Sequence, residues 1–154
     1  MIGPGSPAPS FKLPDQDGKH VSLSDLEGKR TVLVFYPLDF SSVCTDQLTS
    51  YEERLDEIEQ LGAQLYGVSV DSALTHNAFR RHLGVRIPLL SDFNPKGEVA
   101  TAYGVYLERR GHSERALVLI GPDLVVEWAY RPPSPLEIPS ADLIVEALDG
   151  RRGP

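Results

Sequence analysis

The chain is poor in the residues that would mark several common classes. It has one cysteine, one methionine and one tryptophan in 154 residues. A single cysteine cannot close an intramolecular disulfide, so a disulfide-stapled scaffold is excluded and a reducing compartment is expected. No apolar run approaches the ~18 residues of a membrane-spanning helix. The opening residues, Met1-Ile2-Gly3-Pro4-Gly5-Ser6-Pro7, show neither the basic nor the apolar segment of a signal peptide. A cytoplasmic protein with no membrane partner is expected. Positive charge is scarce as well: 15 Lys and Arg face 22 Asp and Glu, a formal net charge of −7. Such a chain lacks the electrostatic footprint for nucleic acid. The pairs Arg80-Arg81, Arg109-Arg110 and Arg151-Arg152 read as solvated surface. His20, His76, His82 and His112 have no metal-ligand spacing and read as surface residues, so no metal site and no cofactor is expected. There is no Cys-x-x-Cys, because residue 47 is glutamine. Gly3-x-Gly5 has no strand before it to make a phosphate loop, and Gly67-x-Ser69 leads to Asp71 and not to the glycine of a nucleophile elbow.

What is present is an ordinary globular composition, 41% hydrophobic and 24% charged, of a length that suits one domain over residues 1–154. Fold class has to come from pattern. Phe11 to Leu23 around Asp17-Gly18 predicts a small hairpin, and Ser24 to Gly28 a helical turn. Thr31 to Tyr36 is β-branched and aromatic on both faces, the signature of a central strand. Leu48, Tyr51, Leu55 and Ile58 at helical spacing predict one helix over about 43–61, ended by Gly62. Leu65 to Val70 is the next buried strand, which makes a parallel βαβ unit. Then come a helix from Ala73 to Leu83 closed by Gly84, and a short strand at Ile87–Leu90 whose proline favours an early or edge position. A helix follows from Pro95 to Tyr103, with proline in its first turn. A hairpin of Arg115–Ile120 and Leu124–Tyr130 around Gly121-Pro122-Asp123 precedes a final helix at Ala141–Leu148. Trp128 on that hairpin reads as core. This order is similar to the thioredoxin-like fold: α/β, with a mixed central sheet, helices on both faces and an N-terminal β-hairpin.

The chemistry concentrates at Cys44. It falls where the first central strand hands over to its helix, and ligands bind at the carboxyl ends of strands in such sheets. Ser41 and Ser42 are N-cap types, which places Cys44 in the first helical turn, facing unpaired N–H groups and the positive end of the dipole. A free thiol has a pKa of about 8.5, and helix N-termini and nearby cations lower such values, which raises the share of the nucleophilic thiolate. The bland readings stand beside this one. A lone cysteine also serves as a small core hydrophobe, Ser41 as a plain cap, Pro37 as a strand stop, and Arg115 as one more surface arginine, though it precedes a strongly apolar strand.

Pro37-x-x-x-Ser41-x-x-Cys44 resembles the Pro-x-x-x-(Thr/Ser)-x-x-Cys signature of the peroxiredoxins. Phe11 to Lys19 resembles that family's N-terminal hairpin. Pro88-Leu89-Leu90-Ser91-Asp92 and Ala102-Tyr103-Gly104-Val105 resemble its middle segments, and Arg115 to Ile120 its arginine-bearing strand. With one cysteine, the chain is most similar to the alkyl hydroperoxide reductase E type, with the PrxQ (bacterioferritin comigratory protein) branch as near neighbour. The resemblance implies a thiol peroxidase acting on hydrogen peroxide and organic hydroperoxides. Cys44 is then the nucleophile, and Arg115 and Ser41 donate hydrogen bonds to sulfur and peroxide. Pro37 shields the sulfur, and the N–H groups of Val43 and Cys44 complete the donor set. It also implies a homodimer.

Two positions depart from the family pattern. Ser41 stands for the commoner threonine and lacks its stiffening methyl. Gln47 stands where many members carry glutamate, and can only hydrogen-bond to the arginine. The sulfenic acid formed at Cys44 has no second cysteine to resolve it; Thr49 stands where the PrxQ branch often has one. An external thiol, small or a thioredoxin- or glutaredoxin-like protein, is the implied reductant. The other reading is a non-catalytic peroxide sensor or redox relay built on the same thiolate. An apolar rim near Leu38 and Phe40 suggests organic hydroperoxides.

Overall fold

The computed structural model describes residues 1–151; Arg152 of the last basic pair lies outside the described residues. The centre is a five-stranded sheet whose strands lie in the spatial order Leu89–Ser91, Ala63–Ser69, Arg30–Phe35, Ala116–Ile120 and Val126–Tyr130. β3 (Arg30–Phe35) pairs in parallel with β4 (Ala63–Ser69), which pairs in parallel with β5 (Leu89–Ser91) at one edge. On its other side β3 is antiparallel to β8 (Ala116–Ile120), and β8 to β9 (Val126–Tyr130). The mixed sheet is as the sequence pattern predicts; β5 takes the edge position, one of the two its proline favours, and begins only after Pro88. β1 (Lys12–Pro14) and β2 (His20–Ser22) form the expected N-terminal hairpin.

Alternation along β3 explains the two cores. Val32, Val34 and Tyr36 point to a cluster with Leu48, Tyr51, Leu55, Ile58, Phe79, Ile144 and Leu148. Those residues come from α1 (Ser42–Glu53), α2 (Leu55–Gln60), α3 (Ala73–Leu83) and α5 (Ala141–Asp149). Leu33 and Phe35 point the other way, onto Leu13, Val21, Leu26, Val99, Ala100 and Tyr103. The hairpin, a 3-10 turn at Leu23–Leu26 and α4 (Glu98–Ala102) supply that face. Every residue of β8 is buried, as a strand covered on both faces requires.

Several expectations need correction. The helix over 43–61 is two helices, because the chain tightens at Arg54, whose N–H bonds the Tyr51 carbonyl at 3.0 Å. The hydrophobic spacing runs through that break unchanged, so it could not show it. Pro95 is not in the first turn of α4. It follows a cis peptide bond in the preceding loop, and α4 starts at Glu98 because the Asp92 carboxylate accepts from the Val99 and Ala100 N–H groups at 3.0 and 2.9 Å. Burial raises the Asp92 pKa above the ordinary carboxylate value, against the pull of those two bonds. A two-residue hairpin, β6 (Tyr106–Leu107) with β7 (His112–Ser113), was not foreseen. Arg80 and Arg151 are not merely solvated: Arg80 bonds the Ile87 carbonyl and Arg151 bonds those of Ala147 and Glu127. Gly84 closes α3 in the left-handed region at φ 68°, where glycine alone is free of Cβ penalty. No helix among the described residues is long and apolar enough to cross a membrane.

Gly67, in the middle of β4, is required for a different reason. A Cβ there would lie 2.6 Å from Leu89 Cδ2 and 3.1 Å from Tyr36 Cε1, and both side chains are fully buried. Gly67→Ala is expected to lower stability by about 1–3 kcal/mol through overpacking, measured as a drop in the urea midpoint at unchanged slope.

Candidate active site

Antiparallel pairing brings the site together. Phe35 is registered with Ala116, so the carboxyl end of β3 and the amino end of β8 share one edge of the sheet. The loop leaving β3 leads to Cys44, and Arg115 stands immediately before β8. A separation of 71 positions closes to a contact of 3.1 Å, in which Arg115 Nη1 donates to Cys44 Sγ. The same nitrogen donates to Gln47 Oε1 at 2.9 Å, and Nε donates to the Pro135 carbonyl at 3.0 Å. Arg115 is only 4% exposed and Cys44 is fully buried. Arg115 is therefore not a surface arginine, and Gln47 meets it by hydrogen bonding alone.

The turn from β3 into α1 is held from inside and outside. Inside, Tyr36 Oη donates to Asp39 Oδ1 at 2.5 Å, and His76 Nδ1 lies 2.7 Å from Asp39 Oδ2. His76 Nε2 lies 3.0 Å from the Leu90 carbonyl, to which only an N–H can be directed. The backbone N–H of Asp39 donates to Asp71 Oδ2 at 2.9 Å. Burial, then the charge of Asp39, pushes the Tyr36 hydroxyl well above its ordinary pKa. Outside, Phe40 adopts φ 67°, uncommon for a residue with a Cβ, and its ring packs on Phe79 and His82 at centroid distances of 4.9 and 5.8 Å. His76 is thus not a surface histidine but fully buried.

Ser41 occupies the N-cap position of α1 without capping it. Its Oγ donates to the Leu38 carbonyl at 3.1 Å. Pro37, Ser41, Val43 and Arg115 all line one cavity of about 520 Å³. Cys44 is not on its surface; its chain neighbour Val43 and its partner Arg115 are. Leu38, Leu107 and Leu136 give the wall its apolar character, with prolines from the 131–135 segment. Phe40 is spent on Phe79 and does not line it. Arg110, which reads from the sequence as solvated surface, and Arg131 both line it. Among the described residues, no group of three or more His, Cys, Asp or Glu could hold a metal ion.

A mixed sheet whose central strand leads to a cysteine held on a buried arginine is the arrangement that the resemblance to the thiol-dependent peroxidases implies. Comparison with known proteins gives the family, since the AhpC/TSA family profile matches residues 4–129. The chain belongs to the AhpC/TSA family, the peroxiredoxins, and is an enzyme of that family. It is 35% identical over 130 residues to alkyl hydroperoxide reductase E of Mycobacterium bovis, covering 84% of this chain and 85% of that one. It is 42% identical over 126 residues to the thioredoxin peroxidase of Echinococcus granulosus, covering 75% of this chain and 64% of that one. The crystal structure of peroxidoxin BcpB from Mycobacterium tuberculosis superimposes with a TM-score of 0.88 at 26% identity, over 99% of this chain and 100% of that one.

The Asp39–His76 pair generates a prediction. Removing one partner strands the other in a site from which water is excluded. Asp39→Ala is expected to cost about 3–5 kcal/mol of stability, read from urea denaturation; a loss below 1 kcal/mol would contradict the assignment.

Proposed function

We propose that the protein reduces hydroperoxides by a one-cysteine mechanism, with Cys44 as nucleophile. The observation that carries the reading is the 3.1 Å contact between the Arg115 guanidinium and the only sulfhydryl of the chain, at the back of a cavity large enough for a small organic molecule. The hydroperoxide enters past Leu38 and Leu136, and its oxygens meet Arg115 and the N–H groups of the first turn of α1. Sγ meets the peroxide beside Arg115, which both contacts the sulfur and lines the cavity. The thiolate attacks one oxygen, the O–O bond breaks, and the leaving oxygen takes a proton to depart as alcohol or water. Sulfur is oxidised by two electrons to the sulfenic acid. Arg115 stabilises negative charge as it moves from sulfur to the leaving oxygen. Ser41 turns its hydroxyl from Leu38 to the peroxide when substrate is bound, and Pro37 and Val43 screen the sulfur from water. One external thiol then condenses with the sulfenic acid, releasing water. A second thiol, or the other cysteine of a thioredoxin- or glutaredoxin-like protein, displaces Cys44 from the mixed disulfide. The apolar wall supports organic hydroperoxides as substrates alongside hydrogen peroxide. A single domain over 1–154, a cytoplasmic location and a homodimer belong to the same proposal. They rest on chain length, the lone reduced thiol and family membership.

The test is stopped-flow mixing of the reduced protein with equimolar hydroperoxide, followed by the fluorescence of Trp128, which packs against the core cluster that holds Cys44. A fast second-order phase that adds one oxygen to Cys44 is expected, and none in Cys44→Ser. Arg115→Met is expected to slow that phase by roughly 10²–10³-fold, the usual loss for one donor aimed at developing charge. A rate no better than that of a free thiolate would leave Cys44 a structural or sensing cysteine. Turnover with a thiol reductant separates an enzyme from a sensor.

A further inference from the structure

Arg115 is aimed at the sulfur by Gln47, and an amide is an ambiguous aiming device. One end of it accepts and the other donates. Only the oxygen end can face a guanidinium; the nitrogen end would set donor against donor. A carboxylate has no such ambiguity. Something has to fix which way the Gln47 amide points, and the next turn of α1 supplies it. Tyr51, four residues on, is fully buried. Gln47 Nε2 donates to Tyr51 Oη at 3.2 Å, and Tyr51 Oη donates to the Pro139 carbonyl at 2.7 Å.

The polarity of this chain is forced from both ends. The Pro139 carbonyl can only accept, so it takes the single proton of the Tyr51 hydroxyl. Tyr51 can then only accept from Gln47, which must present its NH₂ there. The Gln47 oxygen is left for Arg115, which can only donate. We infer that Tyr51 is a positioning residue for peroxide reduction, its hydroxyl setting the orientation of the Gln47 amide so that Arg115 is held on Cys44. The inference rests on the reading of Cys44 and Arg115 as the reacting pair. Burial pushes the Tyr51 hydroxyl up to about 12, so it stays protonated, and the relay keeps its direction, throughout the neutral range.

Tyr51→Phe keeps the ring and its packing and removes only the oxygen. The Gln47 amide is then oriented from the Arg115 end alone, and its oxygen is held less firmly as the acceptor of Arg115. A glutamate at 47 presents an oxygen whichever way it turns, so the Tyr51 hydroxyl has nothing left to orient. The two changes are therefore coupled. The experiment measures the second-order rate constant with hydrogen peroxide for wild type, Tyr51→Phe, Gln47→Glu and the double variant, each confirmed as folded by its urea midpoint. Tyr51→Phe is expected to slow the reaction roughly tenfold when residue 47 is glutamine and less than about twofold when it is glutamate, a coupling within the range of residues that share one network. Equal slowing in both backgrounds would make Tyr51 a packing residue and overturn the inference, as would no slowing in either. A second readout needs no variant. The side-chain NH₂ of Gln47 is expected to give a slowly exchanging pair in the ¹⁵N spectrum of the wild type; exchange as fast as that of exposed glutamines would also overturn the inference. A slow wild-type reaction with that amide still protected would instead sink the peroxidase reading and leave the relay standing.

Discussion

A positive charge buried beside a sulfur is the constraint on which the rest depends. An ion taken out of water loses several kcal/mol of solvation unless its surroundings replace what water supplied. Arg115 meets that demand with three acceptors drawn from two places: Sγ and Gln47 Oε1 on α1, and the Pro135 carbonyl on the segment after β9. Each bond fixes one element relative to the others. α1 must begin beside the amino end of β8, so β3 and β8 must be neighbours. The segment after β9 must fold back over the arginine, and in doing so it forms one wall of the cavity. The Tyr51–Pro139 bond pins the far end of the same segment. The geometry of the site and the topology of the sheet are thus two descriptions of one arrangement.

A second buried cluster governs how the chain enters that arrangement. Between β3 and α1 there are only a few residues in which to turn. Asp39 is drawn inward by Tyr36, His76 and Asp71. Phe40 is held outward on α3. This opposition sustains the left-handed backbone at Phe40. A strained conformation persists only where its surroundings over-determine it, and here four elements do so: β3, α3, β5 and the end of β4. The cluster shares no atom with the Cys44 sulfur, yet it sets where the first turn of α1 starts, and hence where Cys44 lies.

The sequence makes one of these two clusters legible and hides the other. Cys44 and its neighbours follow a local grammar of strand, proline, hydroxyl and helix start within eight residues. Arg115 is conspicuous because it precedes five apolar positions. Asp39 and His76 are 37 positions apart, and neither lies in a period that would link them; a histidine in an amphipathic helix reads as surface until its partner is known. Tyr51 fell correctly on the core face by spacing, but spacing describes the ring and says nothing about what the hydroxyl meets. The helix break at Arg54 leaves the hydrophobic period intact. The start of α4 is set by Asp92, six positions upstream, and not by the proline that usually marks a first turn. What sequence patterning misses in each case is a polar contact, made across the fold at His76 and Tyr51 and within a few residues at Arg54 and Asp92.

The identity of residue 47 shows what this site requires electrically. None of the three acceptors on Arg115 is a carboxylate. Gln47 and Pro135 hold the guanidinium in place without neutralising it, so its charge remains available to the sulfur. A carboxylate at 47 would grip the arginine harder and also compensate part of that charge. A neutral amide avoids this compensation, but its grip is directional, and a directional grip has to be oriented. A tyrosine hydroxyl one turn further along α1, itself polarised by a backbone carbonyl, meets that need with no further charge. The neutral amide and the buried hydroxyl are for that reason one solution and not two separate features.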